Sequence, residues 1–162
     1  MIKAIIIDDE PLARLIVQEY LQAYPEITVI QECSDGFEGI KAIQQHHPDL
    51  LFLDIQMPKI NGFEMLELVE EPPAVIFTTA FDEYAIRAFE THAVDYLLKP
   101  VQATPLLQSV NNVLMQQERR QMRRAGRVRG GRDRHGDTHR LERSGPWRDR
   151  GGHRSSRAGA AA

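Results

Sequence analysis

The chain has a single cysteine, Cys33, one tryptophan, and no apolar run long enough to cross a bilayer. One thiol excludes an intrachain disulfide framework. Cys33 lies in a β-branched, partly alternating run and reads as a small buried hydrophobe rather than a reactive thiol. A membrane helix needs about 20 consecutive apolar residues, and no signal-peptide pattern precedes the first apolar stretch. A soluble, cytoplasmic chain without a membrane partner is the expectation. His46, His47 and His92 have no metal-ligating neighbours at suitable spacing, which excludes a histidine-based metal site. No Ser or Cys pairs with a plausible base, so a hydrolytic triad is excluded as well.

The absences are unevenly spread. Residues 119–162 contain no Lys, Ile, Phe or Tyr, but 14 Arg and 8 Gly. Val128, Leu141 and Trp147 are too scattered to build a core, so 121–162 is expected to be an Arg/Gly-rich disordered tail. Charge divides at the same place. Residues 1–118 carry 19 acidic and 6 basic side chains, whereas 119–162 carry 4 acidic residues and the 14 Arg. An acidic globular domain with a basic appendage follows.

What is present is organised around Leu50–Pro58, LLFLDIQMP. Its continuous apolar run reads as a strand buried on both faces, as in the middle of a parallel sheet. Asp54 closes that run, and in open parallel sheets chemistry gathers at the carboxyl ends of strands. Ile2–Ile7 is a second such strand, ending in Asp8-Asp9-Glu10. Pro11 then takes a first-turn position, and apolar residues at helical spacing predict a helix to about Tyr24. Ile27–Cys33 suits a strand nearer the sheet edge. Ser34-Asp35-Gly36 is cap chemistry for a helix reaching about His46. Asn61-Gly62 marks a tight turn, and Phe63, Met65, Leu66 and Val69 form a helix stopped by Pro72-Pro73. Ala74–Thr79 is a fourth strand, Asp82 caps a fourth helix, and Val94–Leu98 is a fifth strand running into Lys99-Pro100. Thr104 to about Arg120 is a last amphipathic helix. Five strands alternating with five helices through short connections predict an α/β doubly wound, five-stranded parallel sheet.

Aligning the strand ends brings Asp8, Asp9, Asp54, Thr78-Thr79 and Lys99 to one sheet edge. Carboxylates crowded in one cleft require a cation or raised pKa values. A hard divalent ion such as Mg²⁺ supplies the first remedy. A hydroxyl and an ammonium facing that ion suit a phosphoryl group, and a carboxylate is a recognised phosphoryl nucleophile.

IIIDDEP, LLFLDIQMP-x-x-NG, VIFTTA and DYLLKP, in that order over residues 1–120, resemble the receiver domain of two-component response regulators. The resemblance implies a flavodoxin-like sheet of order 2-1-3-4-5. It implies that Asp54 is the phospho-acceptor for a sensor histidine kinase, a role with at most slow self-dephosphorylation and no other enzymatic activity. It further implies that Asp9, Asp54 and the Gln56 backbone carbonyl bind Mg²⁺, with Asp8 completing the pocket through water. Lys99 resembles the lysine that pairs with the phosphoryl group, before a cis Pro100. Thr79, ahead of Ala80, resembles the switch hydroxyl and Tyr96 the aromatic rotamer switch. The family commonly dimerises, when phosphorylated, through the fourth helix, fifth strand and fifth helix.

FDEYAIRAFETHAVDYLLKP is similar to receivers of the LytR/AlgR type, which continue into a LytTR DNA-binding domain. Here the Arg/Gly tail stands in that place, and full-length family members are the ones expected to bind DNA. The tail admits three readings: an RGG-type nucleic-acid arm, non-specific polyanion attraction, or out-of-frame sequence replacing the output domain, which the abrupt change from Lys to Arg usage favours. A receiver fold acting as a phosphorylation-independent interaction module is the competing class, marked by loss of pocket residues. None is lost here.

Overall fold

The computed structural model describes residues 1–130, and the disorder expected over 131–162 lies outside the described residues. Five strands alternate with five helices: β1 Ile2–Ile7, α1 Pro11–Leu21, β2 Ile27–Cys33, α2 Gly36–His46, β3 Leu50–Asp54, α3 Gly62–Glu67, β4 Ala74–Thr79, α4 Ala85–Glu90, β5 Asp95–Leu98 and α5 Ala103–Gly130. A short 3₁₀ turn, Asp82–Tyr84, precedes α4. All strands are parallel and the order is β2-β1-β3-β4-β5, as expected. β2 is the edge strand its mixed pattern suggested.

Side chains of successive strand residues point to opposite faces, and the central strands bury both. Ile2, Ala4, Ile6, Leu50, Phe52 and Ile76 face α1 and α5, where Val17, Leu21, Leu106, Val110 and Val113 cover them. Ile5, Ile7, Leu51, Leu53, Val75 and Phe77 face the other way, against Ala42, Ile43, Phe63, Met65 and Ala88 of α2, α3 and α4. Continuous apolar sequence in β1 and β3 thus serves two separate cores. Cys33 belongs to the second, and burial pushes its thiol up to about 12, aided by the charges of Glu38 and Asp35.

Local chemistry sets the helix starts near the site. Pro11 occupies the first turn of α1. Asp35 accepts from the Glu38 N–H at 2.9 Å and caps α2. Asn61 and Glu64 form a reciprocal capping box on α3, with the Glu64 N–H donating to Asn61 at 2.8 Å. That box fixes the chain immediately after the loop that leaves Asp54.

The first turn expected of the fourth helix is the 3₁₀ turn, and α1 and α3 end earlier than their patterns suggested. The larger difference is α5. The boundary expected near Arg120 is corrected: helix continues through residues 121–130 to Gly130. Arg, Gln, Met and Ala are strong helix formers, and no proline interrupts this stretch. The packed turns carrying Leu106, Val110 and Val113 supply the nucleus that an isolated segment would have to form alone. Low apolar content was the wrong signal for a helix projecting into solvent.

Candidate phosphoryl-acceptor site

β1, β3, β4 and β5 deliver their last residues to one edge of the sheet because neighbouring strands pair in register. Ile7 lies beside Leu53, Asp54 beside Thr78, and Thr79 beside Leu98. The Lys99 N–H donates to the Thr79 carbonyl at 2.7 Å, fixing where the lysine starts. The Lys99–Pro100 peptide is cis.

Lys99 reaches back across this edge. Its Nζ lies 2.9 Å from Asp8 Oδ2, 3.0 Å from Glu10 Oε1 and 3.3 Å from Asp54 Oδ2. Asp8 and Asp54 are both only 3% exposed. Burial first and the charge of Asp8 second push the Asp54 carboxyl up to about 7, with Lys99 offsetting part of the effect. Burial works against the Lys99 ammonium, yet hydrogen bonds to Asp8 and Glu10 and the charge of Asp54 hold its pKa above the usual lysine value. One ammonium thus compensates several carboxylates.

Asp8 is itself held. Its Oδ1 accepts from the Glu10 N–H at 2.9 Å, and its backbone carbonyl accepts from Arg14 Nη1 at 2.7 Å. Arg14 Nε also sits 3.4 Å from Glu32 Oε1, tying α1 to the end of β2.

The oxygens of Asp8, Asp9, Glu10 and Asp54 all come within 4.8 Å of one another. An all-oxygen carboxylate set is the donor chemistry of a hard divalent cation, so the residues present fit Mg²⁺. No histidine belongs to the cluster.

Among the residues named from sequence, Asp8, Asp9, Asp54 and Lys99 come together. Thr78 and Thr79 are both buried at the same edge, and the Thr79 hydroxyl accepts from the Phe81 N–H at 3.3 Å. The Gln56 side chain turns to the β4–α4 loop, donating to the Tyr84 hydroxyl at 2.9 Å. Tyr96 is half-buried on β5, with its hydroxyl donating to the Phe81 carbonyl. Phe81 therefore links Thr79 to Tyr96 through its own peptide groups. Tyr84 stands edge-on to both Phe63 and Phe81, at 6.0 and 6.3 Å between centroids. Two residues escaped sequence reasoning. Glu10 follows the acidic pair directly, a signal that was available; Arg14 offered none beyond its place one turn into α1.

A family model described as the response regulator receiver domain matches residues 4–111. The chain belongs to this family. The receiver is 55% identical over 103 residues to the transcriptional regulatory protein BtsR of Escherichia coli (strain K12), a match covering 62% of this chain and 43% of that one. It is 49% identical over 121 residues to BtsR of Salmonella typhimurium (strain LT2), covering 74% and 50%. The chain spans about half the length of the curated relatives it matches. Among solved structures it is similar to the receiver domain of AraT, a response regulator from Geobacillus stearothermophilus. The TM-score there is 0.69 at 31% identity, covering 74% of this chain and 98% of that one. No helix among the described residues is long and apolar enough to cross a membrane.

Proposed function

We propose that this receiver takes a phosphoryl group on Asp54 from the phosphohistidine of a sensor histidine kinase, with Mg²⁺ in the acidic pocket. The observation that carries the reading is Asp54 itself: a buried carboxylate ending the central strand, within 3.3 Å of the Lys99 ammonium. An Asp54 oxygen forms the new P–O bond as the P–N bond breaks, and the histidine nitrogen leaves with the electron pair. Asp8, Asp9 and Asp54, with the Gln56 carbonyl, would hold Mg²⁺, which when bound screens the carboxylates from the incoming phosphoryl oxygens. Lys99 is already poised at Asp54 and turns its ammonium onto a phosphoryl oxygen, a charge-assisted contact. Little covalent chemistry falls to the chain beyond the nucleophile; positioning and charge do the rest. Asp54 then acts as acceptor, and no further catalytic activity is proposed beyond slow loss of the phosphoryl group to water.

The test is incubation of the chain with Mg²⁺ and acetyl phosphate, followed by intact mass measurement. A phosphate adduct on the native chain that is absent from Asp54→Ala is expected; no adduct on either, or an adduct on both, overturns the reading.

The output follows from the Phe81 link. A phosphoryl group on Asp54 draws the Thr79 hydroxyl toward it, taking that oxygen from the Phe81 N–H. Phe81 also holds the Tyr96 hydroxyl, so the change reaches β5 and the face around α4, a local charge event with a remote readout. Ile86 and Phe89 of α4 and Leu98 of β5 are exposed there. A phosphorylation-dependent homodimer through α4, β5 and α5 fits that surface. Gel filtration with beryllofluoride and Mg²⁺ should shift elution to the dimer position, and unchanged elution counts against it. The relatives' role as transcriptional regulatory proteins supports placing this receiver in a cytoplasmic two-component system of LytR/AlgR type, where a LytTR domain reads the dimer out on DNA.

A further inference from the structure

The distal half of α5 carries a feature that phosphoryl transfer does not use. Gln117 is partly covered, and from Glu118 through Val128 every side chain is exposed. Arg119, Arg123 and Arg127 follow at four-residue intervals, so they form one row with about 6 Å of rise between successive members. Arg120 and Arg124 make a parallel row, and the five guanidinium groups share an arc of roughly 140°. Among the described residues none of the five forms an ion pair. Arg120 and Arg124 border a cleft of about 1000 Å³ whose other wall includes Glu67 and Glu71. The row Arg119–Arg123–Arg127 is therefore the one left for an external partner.

We infer that this row docks α5 along the phosphate backbone of duplex DNA, at the major groove and without reading sequence. Charge complementarity names a polyanion, and three further observations select among polyanions. A helix is about 10–12 Å across and the major groove of B-DNA about 12 Å wide, whereas the major groove of A-form RNA is too narrow for it. Single-stranded nucleic acid is held largely by stacking on aromatic rings, and residues 115–130 contain none. An anionic membrane demands a broad apolar face of Trp, Phe or Leu opposite the basic one. The far side of this helix offers Glu118, Gln121, Ala125 and a single long apolar side chain, Met122, instead. The receiver body carries net negative charge, with 19 acidic against 6 basic side chains over residues 1–118, so it turns away from the phosphates and the projecting helix approaches alone. Docking requires no phosphoryl group on Asp54.

Fluorescence anisotropy of the full 162-residue chain with a labelled 20-base-pair random-sequence duplex, across a salt series, tests the proposal. Each phosphate contact contributes about 0.9 to the slope of log K against log salt. The triple variant Arg119→Gln, Arg123→Gln, Arg127→Gln should lower that slope by about 3 and weaken binding on the order of tenfold or more at 50 mM salt. Gln supports helix nearly as well as Arg, and the corresponding triple Lys variant should retain most of the affinity. The proposal is overturned if the Gln variant binds with unchanged slope, if the Lys variant loses as much as the Gln variant, or if the duplex does not bind. It is equally overturned if single-stranded DNA, duplex RNA or phosphatidylserine vesicles bind more tightly than duplex DNA, or if the helix instead pairs the acidic bodies of two copies, seen as a dimer that the Gln variant abolishes while leaving DNA affinity intact.

Discussion

Replacing Asp54 by Asn should raise the melting temperature of the metal-free protein at pH 8, by on the order of 10 °C, while ending phosphoryl uptake. Asp54 is 3% exposed, and its carboxyl is pushed up to about 7 by burial first and the charge of Asp8 second. A raised carboxyl pKa means the folded state holds its proton more tightly than the unfolded chain does. Stability is then full below the unfolded value near 3.8 and is lost as pH climbs toward 7. At pH 8 the native carboxylate carries the whole penalty, on the order of a few kcal/mol. Asn keeps the shape and removes the charge, so the gain is present at pH 8 and gone near pH 4. Differential scanning calorimetry in EDTA at both values checks it. A variant less stable than the native chain at pH 8 would show that Lys99 more than compensates the cluster.

Gly62→Ala is expected to lower stability by about 2–4 kcal/mol, although Gly62 has no catalytic chemistry. A Cβ there would stand 2.5 Å from the Asp54 carbonyl oxygen and 3.2 Å from both Ile55 Cα and Leu53 Cγ. The nearest two atoms are backbone, so no side-chain rotation relieves the contact. The Gly62 N–H also donates to the Ile55 carbonyl at 2.8 Å, which holds the start of α3 against the end of β3. Relief requires moving the chain that carries Asp54. The urea midpoint should fall by roughly 1–2 M, and the phosphodonor reaction should slow in parallel. Gly126→Ala serves as the control: nothing lies within 4 Å of its Cβ position, and a helix-interior Ala should add roughly 0.5–1 kcal/mol to the helix. An unaffected midpoint in Gly62→Ala would mean that the β3–α3 junction yields easily.

The site was legible in sequence because a parallel sheet sorts it. Strand ends share an edge, so Asp8, Asp54 and Lys99 could be grouped from three apolar runs that each stop at a charge. The grip of Glu10 on Lys99 joins residues 89 apart and depends on a side-chain reach that no pattern encodes. The same holds for Arg14 on the Asp8 carbonyl, a main-chain acceptor invisible to residue-type reasoning. The close approach of Gly62 to Asp54 looked like ordinary turn chemistry, since Asn-Gly reads as a turn whatever lies behind it. The length of α5 is not legible in sequence because amphipathic periodicity reports burial, and the distal helix has nothing to bury against.

The division of the interior into two cores has a consequence for how this receiver tolerates change. Val17 and Leu106 lie in one layer, Phe63 and Met65 in the other, with the sheet between them. Substitutions on opposite sides share no partners, so their costs should simply add, whereas pairs within a layer should deviate from additivity. The α1/α5 layer, from which the long basic helix leaves, is thereby free to drift without compensating changes in the α2–α4 layer that surrounds Phe63 and Gly62. One fold carries two nearly independent mutational accounts, meeting only at the strand ends where Asp8, Asp54 and Lys99 share a charge.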